Sequence, residues 1–244
     1  MSMPVPVLDQ LWVYLSASPL LHLLVTFLAF MGASYINRLL GGTPFLHPVV
    51  LTIVLIIAFL TLTDTDYATY FEGAQFIHFL LGPATVALAI PLYDYRERVR
   101  RLLVPILLSC VAGIVTAVTS AVGVAMLMGA SRETVLTLAP KSVTSPIAMG
   151  IAEKLGGIPS LAAGLVLITG SIGCALGPVI FRLVRVRDPS VQGFTMGVAA
   201  HGFGTAYSFS SIGAVAGAFA GLAMGLTGLL TAFILPPLVH LFGL

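Results

Sequence analysis

The sequence has 244 residues, of which 58% are hydrophobic and only 8% charged, and its mean hydropathy is +1.07. Soluble domains carry about 25% charge, so a soluble core of this length would lack the polar residues to cover its surface, and intrinsic disorder is excluded by the opposite excess of apolar surface. What remains is a multi-span membrane protein. The net charge of +2 does not point to a nucleic-acid partner. Cys110 and Cys174 both lie in apolar runs and are too few for a disulfide scaffold or a cysteine-based zinc site.

The gaps between charges locate the membrane segments, because a helix needs about 20 apolar residues to cross a bilayer. Asp9 to Arg38 leaves about 28 uncharged residues, Arg38 to Asp64 about 25 and Glu72 to Asp94 about 21. Arg101 to Arg132 leaves about 30, Lys154 to Arg182 about 27, and the tail after Asp188 about 56, enough for two spans with a break near Ser208–Ser211. Seven spans follow. A further segment, Thr134–Ala152, is apolar but holds Pro140, Lys141 and Pro146.

No basic residue precedes the first apolar run, so no secretory signal peptide is expected, and the N-terminus, with Asp9 alone, is expected outside. Two short loops are basic: Arg96, Arg98, Arg100 and Arg101 in one, Arg182, Arg185 and Arg187 in the other. Both should be cytoplasmic. Asp64, Asp66 and Glu72 form an acidic loop on the other side. Crossings at Leu20–Ile36, Phe45–Leu62 and Gly73–Tyr93 satisfy this arrangement.

Three apolar segments then separate the two basic loops, where an even number of crossings is required: Leu102–Gly129, Thr134–Ala152 and Gly156–Phe181. The proline-containing segment is read as a re-entrant or broken helix, because proline removes a helix donor and clashes with the preceding turn. Irregular backbone at membrane depth survives only inside protein or beside a water-filled cavity. The alternative is a full crossing, with the Arg182 loop breaking the positive-inside rule.

Leu81-Gly-Pro-Ala-Thr-Val-Ala-Leu-Ala-Ile90 echoes Leu138-Ala-Pro-Lys-Ser-Val-Thr-Ser-Pro-Ile147, with Leu, Pro, a hydroxyl residue, Val and Ile in register. Secondary carriers are often built from repeats whose discontinuous helices meet at the midplane, and chance similarity between two apolar runs is the competing explanation. Three motifs are candidates for chemistry. Around Lys141, a lone cation in an apolar segment, stand Ser142, Thr144, Ser145 and Pro146. A broken helix there would combine free backbone N–H groups, a helix dipole and an ammonium into an anion site. The alternative is a lysine that snorkels to the interface. His201-Gly-Phe-Gly-Thr-Ala-Tyr207 offers His201 as a hydrogen-bonding or proton-carrying group, beside Gly204 and Thr205, or else close helix packing by small residues. Pro83 and Thr85 would form the opposing broken helix, or a tolerated kink.

The remaining features read as structural. Gly213, Gly217, Gly221, Gly225 and Gly228 recur at three- or four-residue steps, a face for helix packing or for a homo-oligomer. His22, His47 and His78 are scattered, so no metal is expected, and no nucleotide loop or hydrolytic triad has a supporting context. No cofactor and no enzymatic activity are expected.

Leu138-Ala-Pro-Lys-Ser-Val-Thr-Ser-Pro-Ile-Ala-Met149 followed by Gly156-Gly-Ile-Pro-Ser160 resembles the LrgB/CidB family of bacterial membrane proteins. So do Val86–Tyr93, His201–Ala206 and Gly217–Met224, in the same order along almost the whole chain. The resemblance implies a polytopic inner-membrane protein acting beside a smaller LrgA/CidA partner. It implies one of two roles: a holin/antiholin-like modulator of murein hydrolase activity and lysis, or a carrier of small carboxylates such as pyruvate, glycolate or glycerate. The matching positions are Pro83 and Thr85, then Lys141, Ser142, Thr144, Ser145 and Pro146, then His201, Gly204 and Thr205. The family pattern often places Arg after Gly-Thr-Ala and an acidic residue before Gly-Ala-Phe, where this chain has Tyr207 and Ala216.

The sequence therefore predicts an all-α polytopic membrane protein forming a single integral domain over residues 1–244, with about 7–8 membrane segments and discontinuous helices near the midplane. The expected function is a carrier for a small monocarboxylate, a 2-oxo or 2-hydroxy acid, with a proton or cation as coupled partner. In that reading Lys141 and a half-helix N-terminus hold the carboxylate, Thr144, Ser145 and Thr205 bond the oxo or hydroxyl group, and His201 carries the proton. The rival is the holin-like regulator, which gives Lys141 no special task.

Overall fold

The computed structural model describes residues 19–41, 46–87 and 89–244, and these residues are helical with no strand among them. They divide into two units, one ending at Ala87 and one beginning at Leu88. The expected position of Asp9 and the start of a crossing at Phe45 lie outside the described residues.

The first unit holds α1 (Pro19–Leu39), α2 (Pro48–Leu62) and α3 (Tyr67–Ala87). At the start of α2 the His47 Nδ1 accepts the Val49 N–H at 3.3 Å, and Pro48, which has no N–H to satisfy, takes the first helical position. Thr26 Oγ1 and the Tyr70 hydroxyl, 2.9 Å apart, tie α1 to α3. Beside them His22 is buried, edge-on to the Tyr70 ring at 5.7 Å. The break expected around Pro83 is absent: α3 runs through Pro83 to Ala87. A single proline removes one donor, and a membrane helix tolerates that loss where neighbouring groups compensate.

The second unit begins with two short helices, α4 (Ala89–Asp94) and α5 (Arg96–Arg101). There follow α6 (Leu103–Leu127), α7 (Arg132–Leu138), α8 (Ser145–Leu155), α9 (Pro159–Leu183), α10 (Pro189–Tyr207), a π-helical turn (Ser208–Ile212) and α11 (Ala214–Leu241). One face of α6 buries Ile106, Cys110, Ile114, Val118, Val122 and Ala125 at three- or four-residue steps. That stripe joins Val135, Leu136, Ile151, Leu235 and Val239 from α7, α8 and α11 in the main core. The opposite face leaves Val104 and Leu108 each 65% exposed, as a lipid-facing helix surface requires.

Four helices among the described residues are long and apolar enough to cross a membrane: Leu20–Leu39, Leu103–Leu127, Pro159–Leu183 and Ala214–Leu241. This is fewer than the charge gaps suggest, for physical reasons. Pro48–Leu62 has only 15 residues, about 23 Å of helix against a hydrocarbon core of about 30 Å. Residues 134–152 are divided between α7 and α8, and α10 folds back on itself at His201.

The two basic loops meet. Arg98 pairs with Asp188 at 2.7 Å, so α6 leaves, and α9 returns to, the same end of the unit. Along the inside, α9 and the first limb of α10 run antiparallel and close. A Cβ on Gly173 would come within 2.8 Å of the Ala200 methyl, and one on Gly177 within 2.5 Å of the Met196 sulfur. That limb and α11 run side by side in the same direction and closer still: a Cβ on Gly193 or Gly197 would overlap the carbonyl oxygen of Ala216 or Ala220. Where lipid removes the hydrophobic drive, such backbone approach is a main source of cohesion.

Two predictions follow from this packing. Gly193→Ala should destabilise the protein by about 1–3 kcal/mol through overpacking, despite the better helix propensity of alanine. Gly225→Ala, whose Cβ would meet nothing within 4 Å, should be neutral or stabilising by up to about 1 kcal/mol; thermal midpoints in detergent compare the two. The second concerns Asp188, in the loop after α9. Desolvation pushes its carboxyl up, but the Ser190 N–H, the Arg98 cation and the Val191 N–H outweigh that and hold it below the ordinary carboxylate range. Its stabilising contribution is then present above the unfolded value of about 3.9 and is lost as pH falls through the lower folded one. Asp188→Ala, which loses the N-cap on Ser190, should cost about 1 kcal/mol. Asp188→Asn, which keeps a cap but not the exposed ion pair, should stay near wild type at pH 7 and lose the acid dependence.

Candidate functional site

The first limb of the site comes from the divided segment. Ser131 caps α7, its Oγ accepting the Thr134 N–H at 3.2 Å. Thr137, fully buried, donates its hydroxyl to Glu133 O at 2.7 Å and accepts the Ile158 N–H at 2.8 Å, which fastens α7 to the start of α9. After Leu138 the chain turns tightly, with Lys141 N–H to Leu138 O at 3.1 Å and Val143 N–H to Pro140 O at 3.3 Å. Thr144 is extended, Ser145 opens α8 and Pro146 follows it in the first turn. Thr144 makes no side-chain cap, so the first-turn N–H groups at Ser145 and Ile147 carry the exposed positive end of the helix dipole. Lys141 is half-buried, and its Nζ donates to Ser142 Oγ over a long 3.4 Å. Gly156, at φ 85°, closes α8 in the left-handed conformation that glycine adopts without cost.

The second limb is α10. Its backbone leaves the helix at His201, where φ is 41° and ψ −122°, a conformation sparsely allowed for a residue with a side chain. The chain then reverses, so that Gly204 lies against the Met196 carbonyl oxygen, where a Cβ would overlap it. His201 is buried, and its Nε2 lies 3.1 Å from Val166 O on α9. A carbonyl only accepts, so Nε2 carries the proton in that contact. Thr205 donates to His201 O at 2.9 Å and lies 3.8 Å from the Met224 sulfur; Ser208 donates to Gly204 O at 2.7 Å. The break expected near Ser208–Ser211 is the π-helical turn, which ends at Gly213 with φ 134°. The sequence reading did not anticipate the reversal one limb earlier.

The two limbs converge inside the second unit. Pro140, Ser142 and Val143 share a cavity of about 10 Å³ with Val198 of α10 and with Thr227 and Thr231 of α11, about the room of one water molecule. Val143 packs with Val166, whose carbonyl holds His201. The Pro140–Val143 turn thus lies against Val198, three residues ahead of His201 on the other limb. Pro83 and Thr85 lie on α3 in the first unit. The Leu81–Ile90 echo does not share the fold of Leu138–Ile147: one stays helical to Ala87, the other turns between two prolines. Sequence reasoning missed Thr227 and Thr231, buried on α11, though their four-residue spacing in an uncharged helix was a readable sign. It also missed the Gly193-xxx-Gly197 pair. Of the glycines singled out on α11, Gly217 admits the Phe209 ring and Gly228 faces Ile147, both within the chain.

The LrgB-like family matches residues 26–241. The chain belongs to this family. Among similar proteins, the uncharacterized protein YxaC of Bacillus subtilis is 37% identical over 199 residues, 82% of this chain and 86% of that one. The antiholin-like protein LrgB of the same species is 30% identical over 226 residues, 93% and 97% of the two chains. The holin-like protein CidB of Staphylococcus epidermidis is 29% identical over 201 residues, 82% and 87%. No solved structure matches the chain at a significant level.

The half-buried tip of the first limb gives a test of access. In a background lacking the buried Cys110 and Cys174, Ser142→Cys and Thr144→Cys should react with a small charged thiol reagent in intact membranes, and Val143→Cys, 2% exposed, should not. Equal protection of all three would make the limb a sealed structural element.

Proposed function

We propose that this LrgB-like protein is a multi-pass component of the bacterial inner membrane, a single integral domain that works in a holin/antiholin-like system modulating murein hydrolase activity and lysis. The observation that carries the reading is kinship along 82–93% of the chain with proteins named holin-like CidB and antiholin-like LrgB. Its partner is a smaller membrane protein of the LrgA/CidA kind, and the protein acts as a homo-oligomer. The basic loops joined by Arg98 and Asp188 face the cytoplasm, and the N-terminus lies outside. No enzymatic step or cofactor enters this reading.

A second reading is favoured by one geometric observation, the uncapped start of α8 beside Lys141 with His201 opposite. An N-terminus of this kind with an ammonium nearby suits a carboxylate, and discontinuous helices meeting near the midplane suit a carrier. In this reading the protein moves a small monocarboxylate such as pyruvate or glycolate together with a proton or cation. Lys141 and the α8 N–H groups hold the carboxylate. Ser142, Thr144, Ser145 and Thr205 bond the oxo or hydroxyl group, and His201 carries the proton. The cavity of about 10 Å³ admits no such acid, so transport requires the limbs to part.

Two measurements on one variant separate the readings. Lys141→Ala is tested for uptake of labelled pyruvate and glycolate in proteoliposomes, and for autolysis of cells expressing it. The holin-like reading expects no saturable uptake from the wild type and unchanged autolysis in the variant. The carrier reading expects wild-type uptake that falls at least tenfold in Lys141→Ala and is not restored by Lys141→Arg, since a guanidinium does not replace a compact ammonium.

A further inference from the structure

At the end of the second unit that carries Arg98 and Asp188 lies a cavity of about 510 Å³. Arg182, in the last turn of α9, lines it with Arg185 and Arg187 of the α9–α10 connection and with Tyr207 and Ser211 of the returning limb. The other concentration of charge, Arg96–Arg101, has its Arg98 committed to Asp188 and its Arg96 over the Tyr93 ring at 4.5 Å. The three arginines of the cavity differ. Among the described residues none has a carboxylate within ion-pair distance. Arg182 spends only its Nε, donating to Pro178 O at 3.4 Å. Arg185 stands at φ 60° where α9 ends, with the Val186 N–H on Phe181 O at 2.9 Å and the Arg185 N–H on Arg182 O at 3.3 Å, the left-handed turn that commonly closes a helix. Gln192 fixes the loop behind them, its Nε2 donating to Val186 O at 2.8 Å.

We propose that this cleft binds a phosphate-bearing polyanion. Three arginines line one concave space, and a guanidinium offers the planar donor fork that matches phosphate oxygens. A monocarboxylate would neutralise one of the three cations, whereas a diphosphate group answers all of them. The volume is in the range of small-molecule sites. Tyr207 and Ser211, which line the same cleft, add hydroxyl groups to it. The cleft lies where the span-length helix α9 ends, the level at which lipid phosphates are found, so the phosphate comes either from a lipid headgroup or from a soluble ester. In both cases the ligand bridges the arginine loop to the limb that carries His201 and Thr205, at a place independent of the Lys141 reading above.

The experiment uses the full chain in nanodiscs. In neutral phosphatidylcholine discs, inorganic pyrophosphate is titrated by calorimetry at two salt concentrations. In mixed discs, retention of cardiolipin, whose headgroup carries two phosphates, over phosphatidylcholine is read by native mass spectrometry. The double variant Arg185→Gln/Arg187→Gln should weaken the responding arm at least tenfold. Tyr207→Phe should weaken it a few-fold without removing a charge, and Arg132→Gln, an arginine outside the cleft, should leave it unchanged. Pyrophosphate binding lost in the double variant identifies a soluble phosphate. Selective cardiolipin retention lost in the double variant identifies a lipid headgroup. Absence of both, or binding that the double variant and Tyr207→Phe leave at the wild-type level, overturns the proposal. The exposed arginines have no ion-pair partner to lose, so the double variant should keep the wild-type thermal midpoint. If it does not, Tyr207→Phe alone decides, and unaltered binding in it refutes the site.

Discussion

The second unit depends on the approach of α10 to α11, where the places that side chains of Gly193 and Gly197 would fill are taken by the carbonyls of Ala216 and Ala220. No larger residue fits at that separation, and the contact sets how deep the first limb of α10 runs before it turns. Once that limb is held against α11 on one side and against Gly173 and Gly177 of α9 on the other, there is no room for a straight continuation and a return path together unless the chain reverses sharply. The reversal falls on His201, and the unusual backbone there is compensated by bonds around it: Nε2 to Val166, Thr205 to the His201 carbonyl and Ser208 to Gly204. The first ties the His201 ring to α9, and the other two are hydroxyl bonds to carbonyls four residues back within the returning limb.

Much of this was legible in the sequence, and unevenly so. Charge gaps located the long helices because a helix in lipid must be apolar on every exposed face, which leaves a continuous run that any reader sees. The division of Thr134–Ala152 was legible because two prolines six residues apart act together. Pro140 begins a turn, and Pro146, near the start of α8, favours the extended backbone seen just ahead of the helix. Pro83 has no such companion, and the helix around it continues. The reversal at His201 was illegible for a different reason. Its cause is tertiary, a close glycine contact with a helix that begins 13 residues later, and no local propensity signals it. The glycines on either side, Gly202 and Gly204, permit such a turn without specifying it.

The candidate site shows the same division. Lys141 stood out because a lone cation in an apolar run is costly, and the structure places it on the tip of an interrupted segment beside an uncapped helix start. Thr227 and Thr231 did not stand out, because a threonine in a membrane helix is ordinarily satisfied by its own backbone. Their meaning comes only from the facing Pro140–Val143 turn. Tyr207, where the family pattern often has an arginine, faces the arginine-lined cleft, and Ala216, where it often has an acidic residue, is buried against Gly193. The second substitution is intelligible: a carboxylate has no space beside that glycine.

The Thr137–Ile158 bond and the Arg98–Asp188 pair together have a mechanical consequence. The first joins the end of α7 to the start of α9, and the second joins α5, just ahead of α6, to the Asp188 cap of α10, just beyond α9. With the covalent chain, they clasp α6 and α9 at both extremities, making a closed loop of two long struts and two short ties. A loop of that kind resists shear and hinge-like splaying. The α7–α8 turn and the folded-back end of α10 lie inside that frame and contribute neither of its ties.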